Sequence, residues 1–136
     1  MLVLALIAIV TVIAVPTYQD AIDRAKVTRA VADIGTLSLQ LSRWEARTGA
    51  FPPTLAAAGL DGTLDPWKRP YEYLSVATAR KDAVRKNKNL VPINTDFDLY
   101  SMGKDGASAA PLTAKTSRDD IVRANNGAYI GRADAY

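Results

Sequence analysis

The 136-residue sequence predicts an α+β fold, with one long N-terminal helix packed on a small antiparallel sheet and a loop-rich C-terminal region. Three observations predict it. Residues 1–15 are apolar except for Thr11. After Pro16, apolar residues recur at three- and four-residue steps: Val27, Val31, Ile34, Leu37 or Leu41, and Trp44. Between Asp96 and Ser101, Phe97 and Leu99 alternate with Asp96, Asp98 and Tyr100, the period of a half-buried strand.

The apolar segment is too short to stand alone as a membrane helix. A span takes about 20 apolar residues for a core of about 30 Å, and residues 1–15 reach about 22 Å at the helical rise. It is also too uniformly apolar for burial in so small a domain. The amphipathic pattern that follows carries Asp23, Arg24, Lys26, Arg29, Asp33, Arg43, Glu45 and Arg47 largely on its other side. One helix from Met1 to about Arg47, kinked or loosened at Pro16, accommodates both patterns. Gly49 suits a left-handed cap, and Pro52-Pro53 bars continuation. Residues 1–15 are therefore read as an apolar segment for lipid or other helices, 16–48 as the amphipathic half, and 49–136 as a globular head.

In the head, Thr54 to Leu60 reads as a short helix with Thr54 as its N-cap and Gly59 near its end. Leu64 to Pro70 is a turn built by two prolines around Trp67. Tyr71 to Ser75 is a strand, and Asp96 to Ser101 is a second one stopped by Gly103 and Gly106. The stretch 107–136 is rich in Ala, Ser, Thr, Asp and Gly and reads as loop, with Val122 and Tyr129-Ile130 tucking it back and one more short strand at most.

The composition excludes much chemistry. With no cysteine there are no disulfides or thiolate metal sites, and with no histidine there is no Ser-His-Asp triad or His-ligated zinc. No phosphate-binding glycine motif occurs, and no nucleophile–base pair stands out, so no catalytic residue is assigned. The net charge of +3 is local: Arg80, Lys81, Arg85, Lys86 and Lys88 against Asp82 give a surplus of four positive charges. This run reads first as a solvated surface loop, and otherwise as a contact for anionic lipid or a neighbouring subunit's acidic patch. No aromatic residue interleaves it, which argues against nucleic acid.

Two acidic groupings remain. Asn94, Asp96 and Asp98 have the spacing of an EF-hand start, but Leu99 occupies the required glycine position, and strand alternation explains them better. The second grouping is Asp105, in a glycine-flanked turn, with the adjacent pair Asp119-Asp120. Three carboxylates with loop carbonyls form the hard oxygen environment that Ca²⁺ prefers, and a loop-rich head without cysteine needs a staple. The plainer alternative is that Asp119 caps a short helix and Asp105 is a turn residue.

Residues 2–18, LVLALIAIVTVIAVPTY, resemble the N-terminal helix of type IV pilin-like proteins. Gly49-Ala50-Phe51-Pro52-Pro53, Asp65-Pro66-Trp67 with Pro70-Tyr71, the run from Phe97 to Gly106, and Asp119-Asp120-Ile121 then resemble, in order, the head of the major pseudopilins of type II secretion systems. The resemblance implies a pilin-like fold and a structural, non-enzymatic subunit that polymerises into a helical filament. Its filament-core and membrane contacts would be Leu2, Leu4, Leu6, Ile7, Ile9, Val10, Ile13 and Pro16. It also implies Ca²⁺ held by Asp105, Asp119 and Asp120 with the backbone carbonyl of Met102. Other copies of the chain, the inner-membrane assembly machinery and minor pseudopilins are the implied partners. The implied location is the inner membrane, single-pass, with a periplasmic head, and methylation is a family trait. The family's helix opens with Phe-Thr-Leu-Ile-Glu-Leu, six residues that would precede Met1 and bring the apolar run to spanning length. A surface pilus subunit and a membrane-tethered binding module are the competing functions. The absent cysteines favour the pseudopilin over pilins that close a C-terminal loop with a disulfide.

Overall fold

The computed structural model describes the backbone of residues 2–136 and the side chains of residues 3–9 and 15–136. Helix α1 spans Leu2–Thr48, 47 residues, or about 70 Å at the helical rise. The helix runs on through Pro16, as the reading of one long helix expects. A proline costs one backbone hydrogen bond and crowds the preceding turn, a local loss that a helix of this length carries. The helix stops where its composition says it should. Gly49 takes a φ of 83° and donates its N–H to the Glu45 carbonyl at 2.7 Å.

Four strands follow: β1 Glu72–Ser75, β2 Phe97–Ser101, β3 Ile121–Ala124 and β4 Tyr129–Arg132. They form one antiparallel sheet in the order β1-β2-β3-β4, a meander. The register pairs Tyr73 with Leu99, Tyr100 with Val122, and Arg123 with Ile130. The predicted helix near Thr54 is a single 3-10 turn, Ala56–Ala58, in which Thr54 Oγ1 accepts the Ala57 N–H at 3.2 Å.

One face of the sheet receives α1. Ala30, Ile34, Leu37 and Leu41 bury against Leu55, Tyr71, Phe97, Leu99 and Ile121, with Val27, Val31 and Ile130 at the margin. The i, i+4, i+7, i+11 spacing from Ala30 gives one stripe, which is why the sequence pattern located this face. The opposite face is covered too. Ile93, Leu112, Val122, Ala124 and Ala133 form a second cluster beneath the long loops. The simple inside–outside alternation expected for β2 is therefore incomplete: Asp98, on the second face, is as deeply buried as Phe97 and Leu99.

The C-terminal region is more regular than its composition suggests, because it contains two strands and not one. The β3–β4 hairpin turns through Asn125-Asn126-Gly127, with positive φ at all three residues. Asn-Gly is among the strongest short hairpin signals. Here it is anchored by the 93–95 loop, where Asn126 Oδ1 accepts the Thr95 N–H at 2.8 Å and Asn94 Oδ1 accepts the Asn126 N–H at 2.9 Å.

Candidate functional site

The first candidate surface is the free end of α1. Val3, Leu4, Leu6, Ile7, Ile9 and Val15 are each more than half exposed, and Pro16 is exposed as well. Of the predicted filament contacts, Leu2, Val10 and Ile13 lie outside the described side chains. Contact with the head begins near Asp23 and full burial at Ala30, so the apolar end of the helix projects beyond the body that the same helix nucleates. A scattered exposed leucine is ordinary, but a continuous apolar run on every side of a helix needs a nonpolar environment. Among the described residues, no helix has a stretch long and apolar enough to cross a membrane.

The second candidate region is the turn after β2. Ser101 donates its hydroxyl to Asp65 Oδ2 at 2.6 Å, and Asp65 Oδ1 accepts the Trp67 and Arg69 N–H groups, both at 2.9 Å. Arg69 reaches over to donate to the Gly103 and Lys104 carbonyls at 2.7 and 3.1 Å. The proline-flanked turn around Trp67 thus clasps the glycine turn. Gly103 holds a φ of 62°, and a Cβ there would stand 2.3 Å from the Asp119 carbonyl oxygen. Only glycine fits both constraints. Gly103→Ala is expected to cost at least about 2–4 kcal/mol, from the left-handed backbone plus the backbone clash. Gly59→Ala is the control, since its φ is 69° but nothing lies within 4 Å of the added Cβ; it is expected to cost about 1–2 kcal/mol. Urea unfolding of the two variants measures the difference.

Of the four predicted calcium donors, the structure brings Met102, Asp105 and Asp119 to the turn after β2 and directs the Asp120 side chain inward. Asp119 Oδ2 accepts the backbone N–H groups of Lys104 and Asp105 at 2.8 and 3.0 Å. Asp105 Oδ1 accepts the Ala107 N–H at 2.8 Å, and the Met102 carbonyl accepts that of Gly106 at 3.2 Å. Asp105 and Asp119 share an open groove of about 490 Å³ with Asp23, but Lys104 and Arg132 line it as well. That groove therefore sets two cationic side chains beside three carboxylates. Lys104 Nζ also pairs with Asp23 at 2.6 Å, a mostly exposed contact joining the turn to α1. Among the described residues, no group of three acidic side chains has a geometry that would hold a metal.

Asp120 is elsewhere. It is fully buried and faces Arg85, whose side chain is 3% exposed. Arg85 Nη2 donates to Asp120 Oδ2 at 2.5 Å, and Nη1 donates to the Ala109 carbonyl at 2.7 Å and to Ser108 Oγ. Ser108 donates its own hydroxyl to Asp120 Oδ2 at 2.6 Å, and the guanidinium lies 4.3 Å from the centre of the Tyr100 ring. Burial pushes the Asp120 carboxyl up to about 6, against the Ser108 hydrogen bond and the Arg85 charge.

This also corrects the reading of the basic run as a solvated loop. Arg85 is core, and exposed Arg80 pairs with Asp82 at 3.0 Å, which leaves Lys81, Lys86 and Lys88 as the charge on that surface. Backbone strapping puts Arg85 inside. Its N–H donates to Asp98 Oδ2 at 2.6 Å, and its carbonyl accepts the Ile93 N–H at 3.0 Å. The flanking Lys86 makes backbone hydrogen bonds with Ala110 and Leu112 at 2.9 and 2.8 Å. A second buried arginine, Arg123, pairs with Asp96 at 2.6 Å and stacks 3.9 Å over Phe97. Burial tends to raise the Asp96 carboxyl, but hydrogen bonds from Arg123 and the Phe97 N–H outweigh it and hold the group below its ordinary value.

No family model matches the chain. The type II secretion system core protein G of Pseudomonas aeruginosa is 28% identical over 127 residues, a match that covers 78% of this chain and 79% of that protein. The match extends over most of both chains, and the long helix on a small antiparallel meander is the architecture the pilin-like resemblance implied. Sequence and fold together support a pseudopilin-like relationship for this chain.

Proposed function

We propose that the chain is a structural subunit of a secretion pseudopilus, assembling with copies of itself through the apolar end of α1. The observation that carries this reading is the continuity of α1. One helix supplies the core stripe of the head and then an apolar segment whose described side chains the head does not cover. Packing such segments side by side buries them and spaces the heads around the outside. Each subunit is held in the inner membrane by the same surface before it enters the filament, with its head in the periplasm. Assembly machinery and minor pseudopilins are its further partners. The similarity to a secretion core protein favours this role over a surface pilus subunit for adhesion or motility. Deleting the gene in its own organism separates the two. Loss of exoprotein secretion with surface pili intact is expected, whereas loss of long surface pili with secretion intact would overturn the assignment.

A further inference from the structure

We propose that Arg85 is the built-in cation of this head, so that the C-terminal loops are closed by an arginine–carboxylate staple and need no calcium. The guanidinium joins three parts of the chain that are distant in sequence. Its own segment is held on β2 through the Asp98 carboxylate, Asp120 enters β3, and Ser108 with the Ala109 carbonyl belongs to the long loop between those strands. A bound cation closing the same loop would act in the same way, neutralising the buried carboxylate and gathering loop oxygens around one positive centre. Arginine does this with a planar fork whose charge is permanent. The Tyr100 ring covers one face of the fork.

Asp120 Oδ2 is thereby committed, its Oδ1 is enclosed in the interior without a hydrogen-bond partner, and what remains near the surface is a poor cation site. Asp119 Oδ2 is occupied by two backbone amides, and Lys104 and Arg132 lie in the same groove. The segment Arg80–Lys88 accordingly has a structural purpose at its one buried arginine, while its other basic residues stay outside.

The test uses the full chain in mild detergent, with thermal unfolding followed by circular dichroism. Excess EDTA and millimolar CaCl₂ are each expected to shift the wild-type Tm by less than about 1 °C, since the staple contains no exchangeable ion. Arg85→Met is expected to lower Tm by more than about 10 °C, because a buried carboxylate loses its partner. Adding Asp120→Asn to Arg85→Met removes the stranded charge and is expected to recover part of that loss. If Arg85→Met does not fold, the wild-type chelator series still decides. A fall in wild-type Tm with EDTA that calcium restores would overturn the proposal, and so would an Arg85→Met variant as stable as wild type.

Discussion

Phe97→Ala is expected to destabilise the head by about 3–5 kcal/mol, the range for removing a fully buried aromatic ring. Phe97 is 0% exposed and sits where α1 meets the sheet. Its ring lies 4.9 Å from that of Phe51 and 5.7 Å from that of Tyr73, and Arg123 is stacked over it. The cost therefore comprises the lost transfer free energy, an unfilled cavity and a buried guanidinium deprived of one covering face. The residue before it adds to the sensitivity, because Asp96 is the carboxylate that neutralises Arg123. Phe97→Leu, which keeps most of the volume, is expected to cost less than half as much. Equilibrium urea unfolding checks both, and a Phe97→Ala loss below about 1 kcal/mol would mean that the helix–sheet core is not where the structure puts it.

The main architecture was legible because it rests on periodicity. The step from Ala30 and Ile34 to Leu37 and Leu41 can face only one way on a helix, and Phe97 and Leu99 can share only one face of a strand. Gly49 and Gly59 announce their left-handed caps by residue type alone. Strands β3 and β4 were harder to read because each has four residues, and composition made the region resemble loop. The Asn-Asn-Gly turn between them is the sequence signal for that hairpin.

The second face of the sheet was not legible, for a different reason. Asp98 looked like the outward residue of a strand, yet it is buried because the loop carrying Arg85 folds over it. No spacing rule connects residue 85 with residue 120. The pairing arises only once β2 and β3 lie side by side and Asp98 holds the Arg85 backbone. Charge counting treated five basic residues as one feature, whereas the structure separates them by burial. The same separation divided the predicted calcium donors, placing Asp120 in the interior and leaving Asp105 and Asp119 at the surface turn.

The largest functional effect is expected at the opposite end of the molecule. Leu6 and Ile9 are 56% and 59% exposed, on a part of α1 about 30 Å from the start of the buried stripe. A carboxylate introduced there leaves the head untouched and opposes burial among other apolar helices. Placing Asp at the centre of an apolar helix costs about 2.5–3.5 kcal/mol, and in a filament that cost recurs in every subunit. Ile9→Asp is therefore expected to abolish assembly while the Tm of the head stays within about 2 °C of wild type, in keeping with a surface change far from the core. The decisive measurement is electron microscopy of filaments, with exoprotein secretion assayed in parallel, in a deletion strain producing either the wild-type or the Ile9→Asp chain at equal levels. The pseudopilus account predicts filaments and secretion with the first chain and neither with the second; secretion that proceeds normally with Ile9→Asp would contradict it.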